Sequence, residues 1–397
     1  MGMFADRMSQ VSVSATLKVA AEAERLRRAG HNVVDFSAGE PDFPTPEHVK
    51  AAAKAAIDAN FTRYTAAAGI PELREAICAR YKSHYGVDIT SAEVLLTVGG
   101  KQALFNTALA LFNPGDEVIT HAPYWPTIPE QVKLVGAVPV IVQTSSTDGF
   151  RVSPESIIAA ITPKTKAIIL NSPGNPTGAL IDESAVAAIA DEAARRDIWV
   201  VVDLCYEQLI YEPVPHNLPK TLFDRHRAKT VLCGSASKSY AMTGWRCGWT
   251  VAPKELTSAF NIIQGQTTSN IASITQKAAL AAISGSQDAV TVMLNEYRQR
   301  RDNIHAWLTA HPGIQCVKPN GAFYLFPNIG GLLAPGTTST DFAQALLEKE
   351  HVVVTPGEAF DAPGYLRISY ATSMEQLREG ATRILRFAES LQHATAR

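Results

Sequence analysis

The sequence carries few marks of specialised chemistry. It has only 5 cysteines (Cys78, Cys205, Cys233, Cys247 and Cys316), an odd number with no C-x-x-C pair. That argues against a disulfide framework and a zinc site, and fits a reducing cytosol. The 10 histidines are scattered, without H-E-x-x-H or H-x-H, so no metal site is expected. No apolar run approaches the roughly 18 residues of a membrane span. The opening MGMFADRMSQ has no cationic stretch leading into an apolar core, so no signal peptide and a cytoplasmic location are expected. Neither charge is in excess: 36 Lys and Arg against 38 Asp and Glu leave a net charge of −2. This offers no footprint for DNA, RNA or an acidic membrane. Neither G-x-x-x-x-G-K-[ST] nor G-x-G-x-x-G occurs, so nucleoside triphosphate and dinucleotide sites lose their best support. Repeats, low-complexity segments and long Gly/Ser linkers are missing too.

What is present is the composition of an ordinary globule. The chain has 397 residues, 46% hydrophobic and 19% charged, enough to bury a sizeable core in about two or three domains. From about residue 93 to 254, short apolar runs alternate with amphipathic stretches. The runs are EVLLTV (93–98), EVITHA (117–122), VPVIVQT (138–144), KAIILN (166–171), IWVVVD (198–203), KTVLCGS (229–235) and WTVA (249–252). They are rich in Val and Ile and mostly lack strict alternation, so they read as strands buried on both faces. Residues 101–112 place Leu104, Phe105, Ala108, Leu109 and Phe112 on one helical face, and Asn113-Pro114-Gly115-Asp116 ends that helix. Residues 183–196 form a second helix, with Asp182 as N-cap. Strands alternating with helices predict an α/β fold with a mostly parallel sheet flanked by helices.

The remainder reads differently. A charged helix over 295–310 leads into GAFYLF (321–326), HVVVTP (351–356), YLRISY (365–370) and a final helix, which predicts a smaller α+β domain. A helix near 15–29 is expected to join it, because chain ends often pack together. The division expected is 1–48 as an N-terminal segment packing with the small domain, 49–290 as the large domain and 291–397 as the small one.

In open parallel sheets ligands bind beyond the carboxyl ends of the strands. There the sequence sets Gly99-Gly100-Lys101 after LLTV, Asn171 to Gly178 after AIIL, Asp203 and Tyr206 after IWVVV, and Ser235, Ser237 and Lys238 after VLCG, followed by Arg246. Gly99-Gly100 opens a helix whose free N–H groups favour an anion. Ser235, Ser237 and Arg246 add hydroxyl donors and a bidentate cation for the same phosphate. Asp203, at the end of an apolar strand, needs a cationic partner, unless it only caps the next helix. Lys238 lies in a Ser/Ala/Gly-rich loop, a poor place for a solvated lysine and a good one for a Schiff base. The same loop matches S-x-x-K of penicillin-binding hydrolases. Those also need S-D-N and K-T-G, which are absent, and the βα order is wrong for that fold.

Together these pieces resemble the class I aminotransferases of the fold-type I pyridoxal 5′-phosphate (PLP) enzymes. The likeness runs through AGEPDFPTP (38–46), YTAAAGIPELREAI (64–77), VGGKQALF (98–105), Tyr124-Trp125-Pro126, NSPGNPTG (171–178), DLCYE (203–207), SASKSYAMTGWRCGW (235–249), PNGAFY (319–324) and YLRISYATS (365–373). Each piece is weak alone; their joint order is specific. Within the class the chain is most similar to the bacterial aspartate and aspartate/prephenate aminotransferases. The resemblance implies PLP, held mainly by the large domain.

By motif, Lys238 resembles the lysine that joins PLP as a Schiff base and moves the proton between substrate Cα and cofactor. Asp203 resembles the carboxylate paired with the pyridinium nitrogen. Tyr206 and Asn175 resemble the pair that hydrogen-bonds O3′. Trp125 resembles the aromatic stacked on the ring. Gly100, Lys101 through its backbone N–H, Ser235, Ser237 and Arg246 resemble the phosphate cup. Tyr64 resembles the tyrosine that reaches this phosphate from the neighbouring subunit, which implies a homodimer with shared active sites. Arg367 resembles the arginine that grips the substrate α-carboxylate, and Gly39 a backbone contact to it. An acidic substrate needs a second cation, and Lys101 matches the lysine of that role. A closing K/R-P-S-x-T segment reads Ser12-Val13-Ser14-Ala15-Thr16 here. Thr16 is kept and the cation is lost, which weakens the case for prephenate.

The implied activity is transfer of the α-amino group of L-aspartate or L-glutamate to a 2-oxo acid such as 2-oxoglutarate, ping-pong, through pyridoxamine phosphate. The alternatives are prephenate, aromatic or neutral amino acids, or a β-lyase on the same fold. A regulator carrying an aminotransferase-like domain behind a helix-turn-helix module is disfavoured. The likeness begins within the first forty residues, and the charge offers no DNA footprint.

Overall fold

The structure, a computed structural model, describes residues 4–11 and 15–395. After β1 (Val34–Asp35), seven strands form the main sheet: β2 (Val94–Thr97), β3 (Glu117–Ala122), β4 (Val138–Gln143), β5 (Thr165–Asn171), β6 (Trp199–Asp203), β7 (Thr230–Ser235) and β8 (Gly248–Val251). Their order is β2-β8-β7-β6-β5-β3-β4. The pairings from β4 to β7 are parallel, while β8 runs antiparallel to both its neighbours, β7 and β2. The seven apolar runs are these seven strands, and the fold is α/β with a mostly parallel sheet.

Both faces of the sheet are covered, so the runs are continuously apolar. Along β6, Val200 and Val202 enter one core with the helix Glu183–Arg195. Val201 enters the opposite core with the helices Gly100–Leu111 and Lys254–Thr267. Three details depart from the sequence reading. β4 is one of the sheet's two edges and only partly covered, with Val138 48% exposed. On the helix Gly100–Leu111 the buried stripe is Ala103, Leu104, Thr107, Ala108 and Leu111, whereas Leu109 is exposed; the face turned to the sheet is rotated from the one periodicity suggests. Asp182 precedes the helix Glu183–Arg195, but its carboxylate pairs with Arg151 at 2.6 Å instead of capping.

The C-terminal strands are short: β9 (Tyr324–Leu325), β10 (Val352–Val353), β11 (Thr355–Pro356) and β12 (Leu366–Ser369). β11-β12-β9 is an antiparallel sheet, and β10 pairs in parallel with β1. The single run 351–356 thus feeds two sheets. The helix Ala15–Arg28 sets Ala23 and Leu26 against Leu347 and Val353. The charged helix spans Asp288–Thr309, starting earlier than its pattern suggests. No helix among the described residues is long and apolar enough to cross a membrane.

Candidate active site

Five strands of the main sheet bring polar groups to one edge. β2 ends at Thr97, paired with Gly248 at the start of antiparallel β8. Arg246, just before β8, therefore lies beside the segment that follows β2. A Cβ on Gly99 would sit 2.4 Å from the Arg246 guanidinium, so a larger residue here would push that side chain out of its present place. Gly99 is the N-cap of Gly100–Leu111, has φ +78° and supplies no side-chain cap. The first N–H groups of that helix are left for an anion. On the other side, Ser235 ends β7 and its Oγ accepts from the Ser237 N–H at 3.1 Å. Arg246 donates to the carbonyls of Thr243 (2.8 Å) and Val98 (3.4 Å) and has no acidic partner among the described residues. Helix terminus, hydroxyls and cation form an anion cradle.

Asp203 is buried at the end of β6. Its Oδ1 accepts from the Cys205 N–H at 2.9 Å, so it closes its own turn. No cationic side chain forms an ion pair with it among the described residues. Burial pushes its pKa up to about 6, against the smaller opposing pull of the Cys205 N–H and of Lys238. A buried carboxyl held only by backbone is suited to a cationic ligand atom. Lys238, on the turn of helix Ala236–Ser239, donates to the Gly39 carbonyl at 2.5 Å. Burial lowers its pKa, which favours a neutral, nucleophilic amine. A cradle for phosphate, a carboxyl for a cationic ring nitrogen and a desolvated lysine together fit PLP.

The facing wall comes from the C-terminal sheet and the segment after β1. Arg367, on β12, is 4% exposed and has no carboxylate partner among the described residues. Its guanidinium donates to Asn175 Oδ1 (3.1 Å) and the Ser37 carbonyl (2.8 Å), and its Nε has no partner. It lies over the rings of Tyr324 (4.6 Å) and Phe360 (5.1 Å). Lys101 stands over Trp125, 5.1 Å from the ring centroid, again without an acidic partner among the described residues. Burial, and secondarily Arg246, lower its pKa. Tyr206 shares a 2.8 Å hydrogen bond with Tyr324.

Gly39, Gly100, Lys101, Trp125, Asn175, Asp203, Tyr206, Ser235, Ser237, Lys238, Arg246 and Arg367 all line one cleft of about 1180 Å³. Tyr64 is not among them: it is 91% exposed. Thr16 is the second residue of the helix Ala15–Arg28, but its side chain, like residues 12–14, lies outside what the structure describes. Sequence reasoning gave no role to several residues that build the site. Tyr324 lies in the motif PNGAFY, which by itself assigns it no role, and nothing in the sequence around Phe360 marks it. Asn171 donates to the Asp203 carbonyl at 3.3 Å and accepts from the Asn175 N–H at 3.0 Å. Its own N–H points to His121 Nε2 at 3.4 Å, where burial pushes the imidazole pKa down to about 4. These contacts bind the ends of β3, β5 and β6 together.

The family described as aminotransferase class I and II matches residues 31–384. The aspartate/prephenate aminotransferase of Cereibacter sphaeroides is 43% identical, covering 98% of this chain and 100% of its own. The aspartate aminotransferase of Geobacillus stearothermophilus is 42% identical, over 97% of this chain and 99% of its own. Among solved structures, Thermus thermophilus aspartate aminotransferase with maleate superposes with a TM-score of 0.92 at 42% identity, covering 98% of this chain and 100% of that one. Rhizobium meliloti aspartate aminotransferase gives 0.94 at 39% identity, covering 98% and 99%.

Proposed function

The chain belongs to the aminotransferases of class I and II, and from that premise we propose that it uses PLP to move the α-amino group of L-aspartate or L-glutamate to a 2-oxo acid such as 2-oxoglutarate. The observation that carries the substrate side is the pair Arg367 and Lys101. Both are cations of one cleft, and neither has an acidic partner among the described residues. A dicarboxylate amino acid supplies the two missing charges. Relatives named for aspartate, and a related structure determined with the dicarboxylate maleate, support the same reading.

Pyridoxal 5′-phosphate, when bound, supplies the electron sink that makes the Cα–H bond of an amino acid breakable. The Gly100 and Lys101 N–H groups, Ser235, Ser237 and Arg246 would hold its phosphate, Asp203 its ring nitrogen, Tyr206 and Asn175 its O3′, Trp125 its ring face and Lys238 its carbonyl carbon. Arg367, with Gly39, binds the α-carboxylate, and Lys101, with Thr16, the distal one; this orients the Cα–H bond. The Lys238 amine takes the proton from Cα and returns one to the product side, as a base whose pKa burial has lowered. The keto product leaves before the acceptor enters, so the kinetics are ping-pong.

We read the protein as a cytoplasmic homodimer in which Tyr64 of each subunit completes its neighbour's phosphate cup; its 91% exposure supports this. We place the division between large and small domains near residue 290, where the helix Asp288–Thr309 begins. The pairing of β1 with β10 supports grouping residues 1–48 with the small domain. Prephenate is the second acceptor reading, favoured by a relative named for it.

The test is a visible spectrum of the purified protein, taken before and after L-aspartate. A yellow band that converts with aspartate, and not with phenylalanine or alanine, is expected. A band that responds only to other amino acids would overturn the acidic substrate. No band after incubation with PLP would overturn the cofactor.

A further inference from the structure

Behind the cleft lies an ion pair that touches neither substrate nor cofactor positions. Arg80, on the helix Pro71–Tyr85, donates to Glu207 at 2.7 Å, and both side chains are 3% exposed. Arg80 also donates to the Tyr240 hydroxyl at 3.1 Å. Tyr85 donates to the second Glu207 oxygen. Tyr240 donates to Gln287 Oε1 at 3.0 Å, and Gln287 is the N-cap of the helix Asp288–Thr309.

The members of this cluster sit beside the residues that line the cleft. Glu207 follows Tyr206 directly, and its N–H bonds the Leu204 carbonyl at 3.0 Å, closing the turn after Asp203. Tyr240 is two residues beyond Lys238, and its N–H bonds the Ala236 carbonyl at 3.2 Å, extending the turn that carries the lysine. Apart from strand pairing, Arg80 is a side-chain bridge between these two segments. A buried ion pair adds little net stability over a well-packed apolar pair. What it does supply is a fixed geometry, because a planar guanidinium with two acceptors admits few arrangements.

We propose that Arg80, clamped between Glu207 and Tyr240, is a positioning residue that sets Lys238 against the Asp203–Tyr206 turn. The inference rests on reading Lys238 and Asp203 as the cofactor site. Removing the clamp lets the two segments shift independently, and displacements of about 1 Å at a reacting centre cost on the order of 100-fold in rate.

The test compares holoenzyme variants Arg80→Met, Arg80→Lys and Tyr240→Phe by pH titration of the visible band and by steady-state kinetics with aspartate. For Arg80→Met we expect the band's apparent pKa to move by about half a unit or more. The kcat should fall about 10- to 100-fold with KM changed by less than about threefold. Arg80→Lys, which keeps the charge but not the planar fork, should recover only a minor part of both, and Tyr240→Phe, which removes one hydroxyl and no permanent charge, should move both readouts in the same direction as Arg80→Met. A lowered Tm with band pKa and kcat unchanged would make the cluster merely structural and overturn the proposal. If Arg80→Met does not fold, Tyr240→Phe decides, and unchanged readouts there overturn it equally. An unmodified protein that shows no titrating band would overturn the reading of Lys238 itself and this inference with it, so the two failures are told apart.

Discussion

Burying Asp203 costs the protein stability that the cofactor's cationic nitrogen would offset. With the folded pKa raised from 3.8 to about 6, the native state binds this proton more tightly than the unfolded chain does. Below pH 4 the carboxyl is protonated in both states and nothing is lost. Between about pH 4 and 6 the unfolded chain gives up this proton while the folded state keeps it, so about 3 kcal/mol is lost progressively and the loss is complete once pH has risen through 6. Asp203→Asn removes that loss. Cofactor-free Asp203→Asn should therefore match the wild type near pH 4 and exceed it at pH 7, checked by urea unfolding at both pH values; parallel behaviour at the two would contradict the burial argument. At the other end of the cleft, Lys101→Ser should lower kcat/KM for aspartate by about 10- to 100-fold, the worth of one charged hydrogen bond, and alanine far less. Equal losses on both would remove Lys101 from the distal carboxylate. Residues of this kind were legible in the sequence because their types are unusual where they stand: an Asp ending a Val run, a Lys among small residues. Phe360 and Ser37 were not legible. One acts through its ring face and the other through its carbonyl, and many residues could supply either.

At the scale of elements, the strands are readable because every one but β4 is buried on both faces and so continuously apolar. β4 reads from its sequence as fully buried because an edge strand and a central one can share a Val-rich run. The packing of β8 against the start of helix Gly100–Leu111 yields a prediction of its own. A Cβ on Gly248 would lie 2.6 Å from Gly100 N and Gly99 C and 2.9 Å from the Gly234 carbonyl, all backbone atoms unable to swing aside. Gly248→Ala should destabilise the fold by about 1–3 kcal/mol and weaken PLP binding, because it separates the helix terminus from Arg246. Denaturant unfolding and cofactor titration measure the two effects. A variant that unfolds more easily yet binds PLP as before would show the cradle to be independent of β8.

At the scale of the whole molecule, the exposed Tyr64 makes a prediction that one chain cannot satisfy alone. Tyr64→Ala and Lys238→Ala should each be impaired as homodimers. Refolded together they should recover about a quarter of wild-type activity, since half the dimers are hybrids and each hybrid holds one complete site. No recovery would mean that Tyr64 does not act across an interface. The same scale shows what each level of description decided. Sequence alone carried the α/β class, the order of the strands along the chain, and the cleft residues from Gly39 to Arg367, because strand ends and glycine turns impose residue types that survive as local patterns. Only the tertiary structure decided that β8 runs antiparallel and so sets Arg246 beside Gly99. It alone paired β1 with β10 and clamped Arg80 between Glu207 and Tyr240. Those contacts join residues more than a hundred positions apart, and what selects them is how covered faces and buried charges must meet. No local pattern of residues records that.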